Sequence, residues 1–144
     1  MRRLTARGEA QARVAGVALT RLEASFEATL FSPKVRARQT AELAAEGWSE
    51  QERSRLAAHP PLASGFDAAQ ALEALAGLGA DGRLLLVGHE PDLSNVIAAL
   101  TGARADLKKG GLAIVRLEGA RGELTVLMRP RELALIAGVP AGGE

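Results

Sequence analysis

The chain has 144 residues, a net charge of +1, only 3% aromatics, two histidines and no cysteine. Near-balanced charge with so few rings excludes an extended nucleic-acid surface, which needs clustered cations and stacking platforms. The lack of cysteine excludes disulfides, thiolate nucleophiles and thiolate metal ligands together. No apolar run reaches the roughly 18–20 residues of a bilayer span, and "MRRLTARGEAQ" lacks the hydrophobic segment of a secretory leader. The expected setting is the cytoplasm, without membrane or nucleic-acid partners. Length and composition fit a single domain over residues 1–144 with a real core.

In "LTARGEAQARVAGVALTRLEA" apolar residues recur at helical spacing through Ala10, Val14, Val17, Ala18 and Leu22, with Thr5 placed to cap the start. "ATLF" reads as a buried strand stopped by Ser32-Pro33, and a serine cap followed by proline opens the helix "PKVRARQTAELAAE", which ends at Gly47. Residues 48–66 are mixed, with a long loop around His59-Pro60-Pro61. "DAAQALEALAGLG" is a helix capped by Asp67. "RLLLVG" is a strand apolar on both faces, which fits a central place in a covered sheet. "EPDLSNVIAALTG" is a helix with Pro91 in its first turn, "GLAIVRLEG" and "GELTVLMRP" form a hairpin, and "RELALIAG" closes the chain as a short helix.

Strands alternating with helices before a final hairpin describe a three-layer α/β/α domain with a mixed, mostly parallel sheet. Ligands of such sheets bind beyond the carboxyl ends of the strands. Both strand-to-helix turns, Ser32-Pro33 and Gly88-His89, lie at that edge.

At Gly88-His89 a small residue permits close backbone approach, and the helix beginning there offers N–H groups to an anion. An imidazole in that place can donate to a phosphoryl oxygen, although a capping or core histidine would look the same in sequence. Arg38 has Glu42 four residues on and reads as a surface ion pair. Arg36 has Ser, Pro, Gln and Thr at its three- and four-residue neighbours, so it is an unpaired guanidinium at a helix start, suited to forking a phosphate. His59, ahead of two prolines, reads as an exposed loop histidine with no strand to aim it. Glu90 and Asp92 read as helix-start caps, and "LKKGG" as a solvated turn.

Taken together, "RRLTARGEAQA", "SPKVRARQTAE", "VGHEP" and "LKKGGLAIVRLEG" resemble the histidine phosphatase superfamily, and within it the small phosphohistidine phosphatases of the SixA type. The resemblance implies a phosphoglycerate-mutase-like sheet and metal-free phosphoryl transfer with no cofactor. It implies Arg36 and His89 as catalytic and phosphate-binding residues, with Ser32 as a further phosphate-pocket residue. It also implies a partner bearing phosphohistidine, or phosphate or a small phosphoester; the oligomeric state is left open. The family's Arg-His-Gly, whose histidine is the nucleophile at the end of the first strand, is absent from these 144 residues. The expectation is therefore a domain that lacks its first strand, with that strand encoded fewer than about thirty codons upstream, a strand and a loop. Such a chain is a phosphohistidine phosphatase inactive as written; the alternatives are a non-catalytic binder of phosphorylated ligands and a small-molecule phosphatase of the same superfamily.

Overall fold

Two separate sheets organise the chain in the computed structural model, which describes residues 3–79 and 81–139. In order, the elements are α1 (Ala6–Arg21), β1 (Ala28–Phe31), α2 (Val35–Ala44), α3 (Glu50–Arg53), β2 (Leu56–Ala58), α4 (Ala68–Ala76), β3 (Leu84–Val87), α5 (Asp92–Thr101), β4 (Leu112–Glu118), β5 (Arg121–Met128) and α6 (Pro130–Ala137). Short 3-10 turns at Ala45–Gly47 and Pro60–Ala63 bridge the rest. The order β2-β1-β3 makes a parallel three-stranded sheet, and β4 pairs with β5 as an antiparallel hairpin. This is the α/β architecture expected, with the hairpin forming a sheet of its own.

Local chemistry sets most boundaries. Thr5 caps α1 by accepting from the Gly8 amide at 3.0 Å, and Asp67 and Gln70 close a reciprocal capping box at α4. Gly102 and Gly138, at φ of 74° and 78°, take the left-handed conformation that ends α5 and α6. The second helix differs from expectation: α2 begins at Val35 with Lys34 as its cap residue, so Ser32 lies outside it. Three residues inside the expected loop, Leu56–Ala58, pair in parallel with β1 as β2.

One face of the parallel sheet carries Leu30 and Leu86, neighbours in register, against a core of Leu62, Phe66, Ala71 and Val96 from the α4/α5 side. On the other side α1 packs against α2 and α6, and α2 touches all three strands. The buried face of α1 is Ala12, Gly16, Ala18 and Leu19. Val17 and Leu22, expected inside, are 44% and 40% exposed. The cause is close approach: a Cβ built on Gly16 would lie 1.8 Å from the carbonyl oxygen of Ala44, so α1 meets α2 on its smallest residues rather than its most apolar ones.

β3 is an edge strand among the described residues, not the central one its composition implied. Glu27 N–H donates to Arg83 and Ser32 N–H to Val87, so residues 83 and 87 direct their carbonyls at β1. By the alternation of a parallel ladder, Leu84 and Leu86 direct their backbone groups at the opposite, unpaired edge. All four apolar residues of β3 are only half-buried, as are Leu112–Val115 of β4.

Candidate phosphate site at the carboxyl edge of the parallel sheet

The last ladder bond of β1 is made by Ser32, and the chain then turns through Pro33 into α2. β3 ends at Val87, and Gly88-His89 follow at the same edge. The two turns meet side chain to side chain. Ser32 is fully buried, and its Oγ lies 2.8 Å from Nε2 of the half-buried His89, across 57 residues of chain. The same Oγ accepts the Lys34 amide at 3.3 Å. One hydroxyl therefore ties the imidazole to the cap of α2.

Arg36 is half-buried in the first turn of α2, and its guanidinium makes no hydrogen bond or ion pair among the described residues. The backbone N–H groups of Val35, Arg36 and Ala37 have no partner there either, and α2 carries no side-chain cap. Uncapped N–H groups at a ten-residue helix start attract anions. Burial pushes the His89 imidazole below its ordinary value; the charges of Lys34 and Arg36 push the same way and that of Asp92 opposes them. The neutral ring is thus favoured in the fold, and protonation as pH falls through the ordinary histidine range favours the unfolded chain. Two cations that disfavour a third positive charge at one place define an anion-seeking spot.

Several sequence expectations change here. Two of the amides opening α5 are already satisfied: Leu93 N–H donates to the His89 carbonyl, and Ser94 N–H to the Glu90 carboxylate at 3.0 Å. The run of three free N–H groups suited to an anion therefore sits on α2 rather than on α5. Glu90 also accepts from the Ser94 hydroxyl, and Asp92 accepts the Gly65 amide at 2.9 Å, so both acids brace the loop. Gly88 is small for packing, since an added Cβ would face Leu62 at 3.3 Å. Arg38 and Glu42 form no ion pair; the Arg38 guanidinium lies over the Phe31 ring, 5.7 Å from its centroid. His59 is aimed by a strand after all. It follows β2, donates its amide to Phe31 O at 2.8 Å and sets its ring edge-on to Phe66 at 6.2 Å. It remains at the end of the outer strand β2, with β1 between that strand and β3. Lys108 pairs with Asp106 at 2.7 Å in an exposed turn. No group of three or more potential metal ligands occurs among the described residues.

Lys34 is the residue that sequence reading passed over. The signal was available: Leu30, Phe31, Ala37 and Arg38, its three- and four-residue neighbours, include no acid.

The family model of the histidine phosphatase superfamily (branch 1) matches residues 2–57, a segment that includes α1, β1 and α2 and ends within β2. Arg2 of the quoted opening lies outside the described residues. A relative from Picosynechococcus sp. (strain ATCC 27264 / PCC 7002 / PR-6), itself uncharacterized, is 36% identical over 148 residues, covering 92% of this chain and 86% of its own. The chain belongs to the histidine phosphatase superfamily.

Its fold is that of the SixA phosphohistidine phosphatases. The protein histidine phosphatase SixA complexed with tungstate superposes with a TM-score of 0.80 at 22% identity, over 92% of this chain and 87% of that one. A putative phosphohistidine phosphatase SixA from Nakamurella multipartitia gives 0.73 at 24% identity, over 90% and 85%. One from Agrobacterium tumefaciens gives 0.71 at 18%, over 89% and 83%.

Proposed function

We propose that this chain is a SixA-like phosphohistidine phosphatase domain whose described residues bind the phosphoryl group of phosphohistidine carried by a protein. Arg36 forks the phosphoryl oxygens, the free amides of α2 complete the oxyanion cradle, and His89 donates from the neighbouring turn. Cations and amides neutralise charge spread over three equatorial oxygens, as phosphoryl transfer requires. An imidazole leaving group, once protonated, needs little further acid help, in keeping with Glu90 and Asp92 being held by backbone amides. The observation that carries this reading is the 2.8 Å contact between Ser32 and His89, which brings the α2 turn against the histidine.

Tungstate, found with a SixA structure, is the probe. Calorimetry on the 144-residue chain should show tungstate binding, and Arg36→Ala should weaken it about 10- to 100-fold, the worth of one charged hydrogen-bonding group. Equal binding by the variant would end the proposal. Ser32, buried and turned toward the ring, acts as a positioning residue in this reading. Ser32→Ala should weaken tungstate binding about 5-fold, near the ~1 kcal/mol of one hydrogen bond, and change the Nε2 environment of His89 in nitrogen NMR. Restoration by Ser32→Thr would separate hydroxyl positioning from a packing defect.

A second reading, a binder that holds a phosphorylated partner without turnover, is favoured by the Ser32 hydroxyl that already engages Nε2 of His89. A small-molecule phosphatase is the remaining alternative, and preference for sugar phosphates over phosphohistidine peptides would identify it.

A further inference from the structure

The half-site contains a cation that neither the motif nor the fold assigns. Lys34 is exposed, sits at the cap of α2 and has no ion-pair or hydrogen-bond partner for its ammonium among the described residues. Its backbone is fixed in relation to His89: its amide donates to Ser32 Oγ at 3.3 Å, and that oxygen lies 2.8 Å from the imidazole. The side chain therefore starts one hydroxyl away from the ring. It flanks the same uncapped helix start as Arg36, two residues on.

We propose that Lys34 is a second cationic ligand of the anion site, closing over the bound phosphoryl group from the solvent side while Arg36 holds it from the protein side. The proposal rests on the reading of Arg36 and His89 as an anion site. The charge geometry agrees with it. After burial, the positive charge of Lys34 is the strongest influence lowering the His89 imidazole, ahead of Arg36 and against Asp92, the other charged group that bears on the ring. An ammonium on a flexible stem acts as a point charge and does not impose the planar fit of a guanidinium. A mobile rim cation suits a phosphoryl group displayed on a large partner, because it can withdraw to admit the partner's surface.

Four proteins, the 144-residue chain and its Lys34→Met, Lys34→Arg and Arg36→Ala variants, are titrated with sodium tungstate. His89 is followed by NMR across pH in the absence of tungstate. Lys34→Met should bind tungstate about 5- to 30-fold more weakly, with a shallower dependence on salt, and its His89 titration midpoint should rise. Lys34→Arg should recover most of both effects. Because the side chain is exposed and unpaired, the variants should melt with the parent. Unchanged binding in Lys34→Met while Arg36→Ala loses affinity would overturn the role of Lys34 and leave the site reading standing. Unchanged binding in both variants would remove the site reading itself. Weaker binding with an unmoved His89 midpoint would put the ammonium away from the ring and overturn the proposal too.

Discussion

Replacing Gly16 with alanine should destabilise the protein by about 2 kcal/mol, whereas the same change at Gly8, in the same helix, should be close to neutral. Both substitutions gain helix propensity, up to ~1 kcal/mol per glycine replaced, so any contrast between them reports packing. At Gly8 the new methyl would meet Leu4 Cδ2 at 3.2 Å, the end of a flexible side chain that can turn aside. At Gly16 it would meet the carbonyl oxygen, carbonyl carbon and Cα of Ala44 at 1.8, 2.6 and 2.8 Å. All three are backbone, so relief requires α1 to lift from α2. That movement would also loosen the Trp48 indole, which donates to the Gly16 carbonyl at 3.3 Å. Overpacking of this kind costs roughly 1–3 kcal/mol and sometimes more, enough to outweigh the propensity gain. In thermal melts the Gly16 variant should unfold about 6–8 °C below the parent, at roughly 3–4 °C per kcal/mol for a chain of this size. Equal melting of the two alanine variants would mean that α1 and α2 do not touch at this point.

The same contact shows where the sequence could and could not be read. Capping residues and glycine stops act locally, so Thr5, Asp67 and the ends of α5 and α6 were legible from one short window each. The buried face of α1 was not. Periodicity weighs residues by hydrophobicity, and the face that packs is chosen here by smallness, leaving Val17 and Leu22 outside. β2 escaped notice because Leu-Ala-Ala has neither β-branched residues nor alternation, and only its pairing with β1 makes it a strand. Arg38 was matched with Glu42 by spacing alone, but in the fold its guanidinium lies over Phe31. For the site, the sheet-edge rule places the turns at Ser32 and His89 along one edge, and in the structure the two side chains are in contact. That α2 offers more free amides than α5 is not legible in sequence, which does not reveal that Glu90 folds back on Ser94.

Restoring a nucleophile should have the larger effect on chemistry. The unmodified 144 residues should release no phosphate from a phosphohistidine peptide above background, because His89 is held against Ser32 and His59 follows β2, the strand farthest from β3 in the sheet. Leu84 and Leu86 direct their backbone groups along an edge that is unpaired among the described residues, and the apolar residues of β3 and of the first half of β4 are only half-buried. Unpaired groups on such an apolar strand template a further strand. A segment appended ahead of Met1, built from the first strand of a SixA protein and ending in Arg-His-Gly, should add to β3 in parallel. Its histidine would then arrive at the carboxyl edge beside Gly88-His89. Turnover should rise from background by at least roughly 10³-fold, since a nucleophile and its binding groups act as a unit and the loss of one member removes most of the rate. The same segment ending in Arg-Ala-Gly should raise the melting temperature and protect the Leu84 and Leu86 amides from hydrogen exchange, without turnover. Protection by both segments with turnover by neither would leave the chain a phosphoryl-binding protein and remove catalysis from the proposal. Failure of either segment to protect those amides would show that the open edge of β3 does not accept a strand.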